Sequence, residues 1–370
     1  MMSGSCLRFA GLTGLALLCA CYQGLPGEGE ATGSSSAGSE GTSASSTTAG
    51  TAGSAGSATS TATTAGTAST ASTATTATTG DGSGSDDGAS ASASADGSTG
   101  GADPAAAMCE RWLADRADLS EGAWSGSVAS CDPGDIAANG RTNALRVLNL
   151  YRWLAMLPPI DLDETRNQLG QACALMMDAN DALSHAPPAD WTCYSGDGAM
   201  AAGNSNIATT AAVAAIDLYM VDPGNPDTLG HRRWILSNSI GPTGIGSTSG
   251  YSCLWTLGGS GAANAPWTAY PSPGPYPFAA STLGWTSLDE TGWSIQSDSI
   301  DLSAAQVTIT ADGDPRPVTV HVLGSGYGSN SAISMIPQGW ALTAGVRYHV
   351  SVSSVSEPIE YDVDVVDCGG

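Results

Sequence analysis

Lysine is missing from all 370 residues: the 11 basic side chains are arginines, set against 35 acidic ones, for a formal net charge of −24. A surface of that sign repels nucleic acid and anionic lipid headgroups, which sets nucleic-acid binding aside. The apolar run Phe9–Leu18 falls short of the roughly 20 residues that a permanent membrane helix needs. No Cys-x-x-Cys pair occurs, so a zinc ribbon is excluded. There is no His-Glu-x-x-His zinc helix, and from residue 105 onward no Gly-x-Ser-x-Gly nucleophile elbow. Histidine is scarce too, with only His185, His231, His321 and His349 available for imidazole chemistry.

What is present begins with an export signal over residues 1–20: Arg8, the apolar run, then small Ala20. Leu18-Cys19-Ala20-Cys21 resembles a bacterial lipobox, which implies cleavage before Cys21 and lipid on its sulfur. The alternative is an ordinary secretory signal beside an incidental cysteine. Both place the remaining chain outside the cytoplasm. With Tyr22 after the anchor, where an inner-membrane retention signal would have Asp, the expected location is the cell envelope, at the outer membrane or cell surface.

Residues 21–104 carry the anchor and then a tether of Ser, Thr, Ala and Gly, with Leu25 its only large aliphatic side chain. Nothing there offsets the entropy of ordering, so the sequence predicts a disordered linker. About 80 such residues reach roughly 50 Å. Asp81, Asp86 and Asp87 lack the glutamate of a calcium loop and read as solvated acids.

Six cysteines remain beyond the anchor, an even number in an exported chain, which predicts three disulfides. Sequential pairing closes short loops and gives Cys109–Cys131, Cys173–Cys193 and Cys253–Cys368. Six cysteines nevertheless allow 15 connectivities.

Two domains are expected in the rest, 105–265 and 266–370. In the first, Ala144, Leu145, Leu148, Tyr151, Leu154 and Ala155 recur at helical spacing up to Pro158-Pro159. A second helix is predicted over 164–183 with Asp161 or Asp163 as its cap, and a third over 210–220 before Pro223-Gly224. Met176 and Met177 read as core filling. Strand-like segments follow at 234–236 and 252–257. From residue 306 the period changes to two, in segments 306–310, 317–323, 332–336, 346–352 and 359–366, which is the pattern of an antiparallel, Ig-like β-sandwich. His321 and His349 lie in these strands and read as exposed or cross-strand residues.

The chemistry-bearing residues cluster in the first domain. Leu183-Ser184-His185, Asn204 to Ala208 and Gly230-His231-Arg232-Arg233-Trp234 follow in order, with the two histidines too far apart for one helix. Together with Leu148 to Arg152, Leu157-Pro158-Pro159, Ala172 to Met177 and Gly244-Ile245-Gly246, they resemble the CAP superfamily of SCP-like extracellular proteins, which includes cysteine-rich secretory and pathogenesis-related proteins. The resemblance covers about residues 143–246. It implies an α+β fold built on an α-β-α sandwich, with a cleft of two histidines and two acids that in some members holds a divalent metal such as zinc.

Carried onto this chain, the cleft histidines are His185 and His231. The first acid aligns with Ser205, beside the matching Asn206, and the second with Asp222 after Tyr219. The ligand set implied is His185, His231 and Asp222, one carboxylate short, so zinc is expected to bind weakly or not at all. General acid-base work at position 205 is lost. A Ser205, His and Asp222 triad can be drawn, yet nothing marks a strained nucleophile turn or oxyanion donors. Arg232 and Arg233 are expected to pack against local carboxylates.

Two functions follow. One is a membrane-tethered binding module that recognises a lipid, glycan or protein. The alternative is a metal-assisted extracellular hydrolase of peptides or lipids using the same cleft. The altered acids favour the first.

Overall fold

The computed structural model describes residues 103–369. The export signal, Cys21 and the tether lie outside the described residues. Helix α1 (Pro104–Asp115) starts where Asp103 accepts a hydrogen bond from Ala105 N and Pro104 fixes the first turn. Helix α2 (Ala138–Leu154) buries Ala144, Leu148, Tyr151 and Leu154 of the stripe read from the sequence, with Leu145 partly buried and Val147 added to the buried face. Helix α3 (Glu164–Asn180) is capped by the Asp163 carboxylate and stops where Asp181 turns left-handed, at φ 47°. A short α4 (Gly196–Gly203) leads into strand β1 (Ser205–Ala208), and α5 (Ala212–Val221) follows. The first free amides of α5 are held by the Glu121 carboxylate, which accepts from Val213 N at 2.7 Å and Ala214 N at 2.8 Å.

Segment 234–236 is not a strand. It closes α6 (Gly230–Ile235), whose last turn is held by Leu236 N donating to Arg232 O at 3.0 Å. Three apolar residues do not distinguish a strand from a helix end by periodicity, and here the helix prevails.

Strands β2 (Ile245–Ser247) and β3 (Ser252–Trp255) join β1 in an antiparallel sheet of order β1-β3-β2. Helices α3 and α4 pack on one face around Cys173, Met176, Met177, Ile207 and Cys253. Helices α2 and α5 pack on the other through Leu148, Ile216, Tyr219 and Leu254. The result is an α-β-α sandwich.

The remaining strands form two further sheets. Strands β4 (Thr268–Tyr270), β5 (Gly274–Pro277), β6 (Trp293–Ser297), β7 (Gln306–Ala311), β8 (Asp314–Pro315) and β9 (Val318–Val322) come first. Then come β10 (Ser331–Pro337), β11 (Arg347–Ser353) and β12 (Ile359–Val366). Their orders are β4-β6-β10-β9 and β5-β12-β11-β7-β8, antiparallel throughout except that β5 runs parallel to β12. Trp293, Ile295, Ile333, Met335, Tyr348, Val350 and Val363 fill the space between the sheets.

The four-stranded sheet is covered on its other face as well. Ser294 and Gln296, alternating with Trp293 and Ile295, turn toward α6, where Gln296 Nε2 donates to Arg233 O and Leu236 O. The apolar core therefore runs across residue 265 from the helices into the β-sandwich.

Three disulfides form, as expected, but each joins different partners: Cys109–Cys368, Cys131–Cys193 and Cys173–Cys253. The predicted Cys109–Cys131, Cys173–Cys193 and Cys253–Cys368 pairs are corrected by the packing. α3 lies on β3, which puts the Cys173 and Cys253 Cα atoms 6.2 Å apart. α1 lies against β5 and β12, which brings Cys109 to the end of the chain. Nearness in sequence was the wrong guide, because elements distant in the chain supply each neighbour.

Candidate functional site

Asp222 terminates α5 in the left-handed region, at φ 57°, and this conformation turns its carboxylate back toward α6. Oδ1 accepts from His231 Nδ1 at 2.9 Å and from Asn225 Nδ2 at 2.7 Å, and Oδ2 accepts from Arg232 N at 3.3 Å. The side chains of Asp222 and His231 are both buried. An Nδ1–H donated to a carboxylate fixes the tautomer and the ring plane. Tyr219 adds a wall, its ring centroid 4.9 Å from the imidazole. Burial pushes the Tyr219 phenol well above its ordinary value, so it stays neutral.

Asn206 reaches the same helix from β1, donating from Nδ2 to His231 O at 3.0 Å. Ser205 sits next to it, but strand alternation turns it to the opposite face, with Ile207, Cys253 and Trp255. Both residues are buried; Ser205 Oγ and Asn206 Oδ1 have no hydrogen-bond partner among the described residues.

His185 approaches from the loop after α3, its Nδ1 donating to Ala202 O at 2.8 Å at the end of α4. Burial lowers its pKa below the ordinary 6.5, Ala202 O opposes that, and nearby His231 adds to the lowering.

Zinc does not fit this donor set. Asp222 is committed to the Nδ1 side of His231, where it orients the ring. No group of three or more His, Cys, Asp or Glu side chains is placed to hold a metal among the described residues. The set implied by the resemblance, His185, His231 and Asp222, offers two imidazoles and one orienting carboxylate, fewer than the four ligands that zinc prefers. Ser205 contributes only a hydroxyl.

The arginine pair spends its guanidinium donors differently from the expected packing against carboxylates: both donate to main-chain carbonyls and hydroxyls, while Asp222 lies near Arg232 and accepts from its main-chain N–H. Arg232, fully buried, donates to Met220 O, Val221 O, Gly292 O, Ser294 Oγ and Thr291 Oγ1. Arg233 donates to Thr228 O, Gly324 O and Ser329. Both reach out of the helical layer to residues beyond 290, so they fasten α6 to the β-sandwich.

Sequence reasoning missed Asn225, whose signal was only its place in Asp222-Pro223-Gly224-Asn225, a turn that folds its amide back on the carboxylate. In the β-sandwich, His349 Nδ1 meets Asp362 Oδ1 at 2.8 Å, a half-exposed cross-strand pair. His321 is exposed opposite Ser334.

Residues 145–256 match the family model described as the Cysteine-rich secretory protein family, CAP. The matched stretch holds His185, Ser205, Asn206, Asp222, Asn225 and His231 and ends at the last strand of the α-β-α sandwich. No curated protein and no solved structure matches this chain.

Proposed function

We propose that this chain, CAP-like over residues 145–256, is an extracellular binding module tethered to the cell surface through lipid on Cys21, with a degenerate His/acid cleft. The observation that carries the reading is how the cleft's polar groups are used. Asp222, Asn225 and Asn206 bond inward to His231 and its helix, and position 205 offers no carboxylate. Such a set orients His231, and with serine at 205 the carboxylate that the family pattern places there is absent.

Three disulfides support an oxidising compartment. A long tether followed by a stapled head suits presentation away from a membrane, and the charge of −24 keeps that head off anionic headgroups. The partner in this reading is an extracellular lipid, glycan or protein.

The test has two arms. Metabolic labelling with a fatty-acid analogue and membrane fractionation are expected to mark the parent chain and to miss a Cys21→Ala variant; label persisting in the variant refutes the anchor. Purified protein is expected to hydrolyse none of a panel of peptides and lipid esters. Turnover that disappears in His231→Ala restores the hydrolase reading.

A further inference from the structure

An edge strand offers unpaired N–H and C=O groups, which proteins ordinarily cover or interrupt. Among the described residues most edges are dealt with in that way. β1 and β2 are buried along their whole length, as is β4. α1 packs on β5, and β8 is two residues long and ends in Pro315. β9 is different. Its sequence, Val318-Thr319-Val320-His321-Val322, alternates β-branched residues without proline, lysine or carboxylate, and its register with β10 is unbroken.

Which groups face outward follows from the ladder. Leu323 N donates to Ala332 O and Gln338 N to Pro317 O, both at 2.9 Å, so the odd-numbered residues bond to β10. Antiparallel alternation then turns the N–H and C=O of Val318, Val320 and Val322 to the open edge. Among the described residues no other strand pairs there.

The end of the strand adds selectivity. Val322, 57% exposed, opens onto a groove of about 530 Å³ that is also lined by Asp298, Asp301, Ser303, Ser325 and Asn330. The lining carries two carboxylates and no basic side chain.

We propose that β9 is a docking edge for an extended, basic segment of a partner protein, which adds as a fifth strand and lays an arginine or lysine into the Asp298–Asp301 groove. Main-chain bonds to Val318, Val320 and Val322 supply affinity, and the groove reads the side chain. Charge complementarity selects this occupant, since a chain of net charge −24 repels acidic segments. The chain's own tether does not fit, with no basic residue between Gln23 and Pro104. The inference goes beyond the functional reading above, because neither the cleft nor the anchor enters it.

The test uses the full chain and a short labelled peptide alternating arginine with threonine, beside the same peptide with glutamate for arginine. The arginine peptide is expected to bind, to weaken as salt rises, and to slow hydrogen exchange at the Val320 and Val322 amides. Val320→Pro removes an N–H that the fold does not use and is expected to weaken binding more than about tenfold. Asp298→Asn with Asp301→Asn is expected to abolish the preference for arginine. Equal binding of both peptides, exchange protection elsewhere, or full affinity in a folded Val320→Pro variant overturns the proposal. If that variant does not fold, exchange in the parent chain decides alone. Self-association in sedimentation that Val320→Pro abolishes assigns the edge to a second copy, which also overturns it.

Discussion

Replacing Arg232 with methionine keeps most of the side-chain volume and removes five hydrogen bonds from the junction between α6 and the β-sandwich. The acceptors include the buried carbonyls of Met220, Val221 and Gly292, and orphaning a buried acceptor costs about 1–3 kcal/mol. Against this, the guanidinium's own desolvation cost disappears, which burial makes substantial and which already lowers its pKa. The net expectation is a loss of roughly 3–5 kcal/mol, comparable to breaking one side of a buried polar pair. For a folded region of this size that corresponds to a fall in Tm on the order of 10 °C. Arg232→Lys should recover only part of it, because an ammonium cannot spread its donors over carbonyls on both sides of the junction. Calorimetry of the oxidised protein is the assay. Arg347→Met, which deletes an exposed ion pair with Asp364, serves as the control and should leave Tm unchanged. The melt should also stay a single transition, since one core crosses the junction. A shift under about 2 °C, or two separate transitions in the parent, refutes the reasoning.

Three other outcomes follow from the same structure. His185 has a folded pKa below its ordinary 6.5, so the unfolded chain binds the proton first; stability falls as pH drops below 6.5, and a His185→Gln variant should show a flatter dependence of Tm on pH between 7 and 5. Non-reducing peptide mapping should recover Cys109–Cys368, Cys131–Cys193 and Cys173–Cys253, with reduction lowering Tm by removing roughly 2–4 kcal/mol per bond; a Cys109–Cys131 peptide refutes the packing described. Calorimetric titration with zinc should find no tight site in the parent and none in His231→Ala; tight parental binding that survives His231→Ala places the metal elsewhere.

Local chemistry made much of this legible in the sequence. The stripe from Ala144 to Ala155 and the cap at Asp163 fixed two helices, and the period-two segments became β7, β9, β10, β11 and β12 nearly residue for residue. Ordered motifs named His185 and the set Asn206, Asp222 and His231, the last three joined by hydrogen bonds. What was hidden depends on contacts between distant elements. Disulfide partners are set by α3 lying on β3 and α1 on β12, and no spacing along the chain encodes that. Arg232 reads as a charge that needs a carboxylate, whereas three of its five acceptors are main-chain carbonyls, which every sequence has and none advertises. Asp222 has the right identity for a ligand, but a left-handed helix end spends it on the far nitrogen of His231.

The Cys109–Cys368 bond gives the molecule a defined mechanical route. A pull arriving through residue 103 can unwind only the part of α1 ahead of Cys109 before it meets a covalent junction. From there tension passes to Cys368 and into β12, which is held between β11 and β5 in its sheet. Helices α2 to α6 lie inside the loop that this bond closes, away from the short covalent path from residue 103 to β12. A load taken at residue 103 is therefore shared with the hydrogen-bond ladders that hold β12 to β11 and β5.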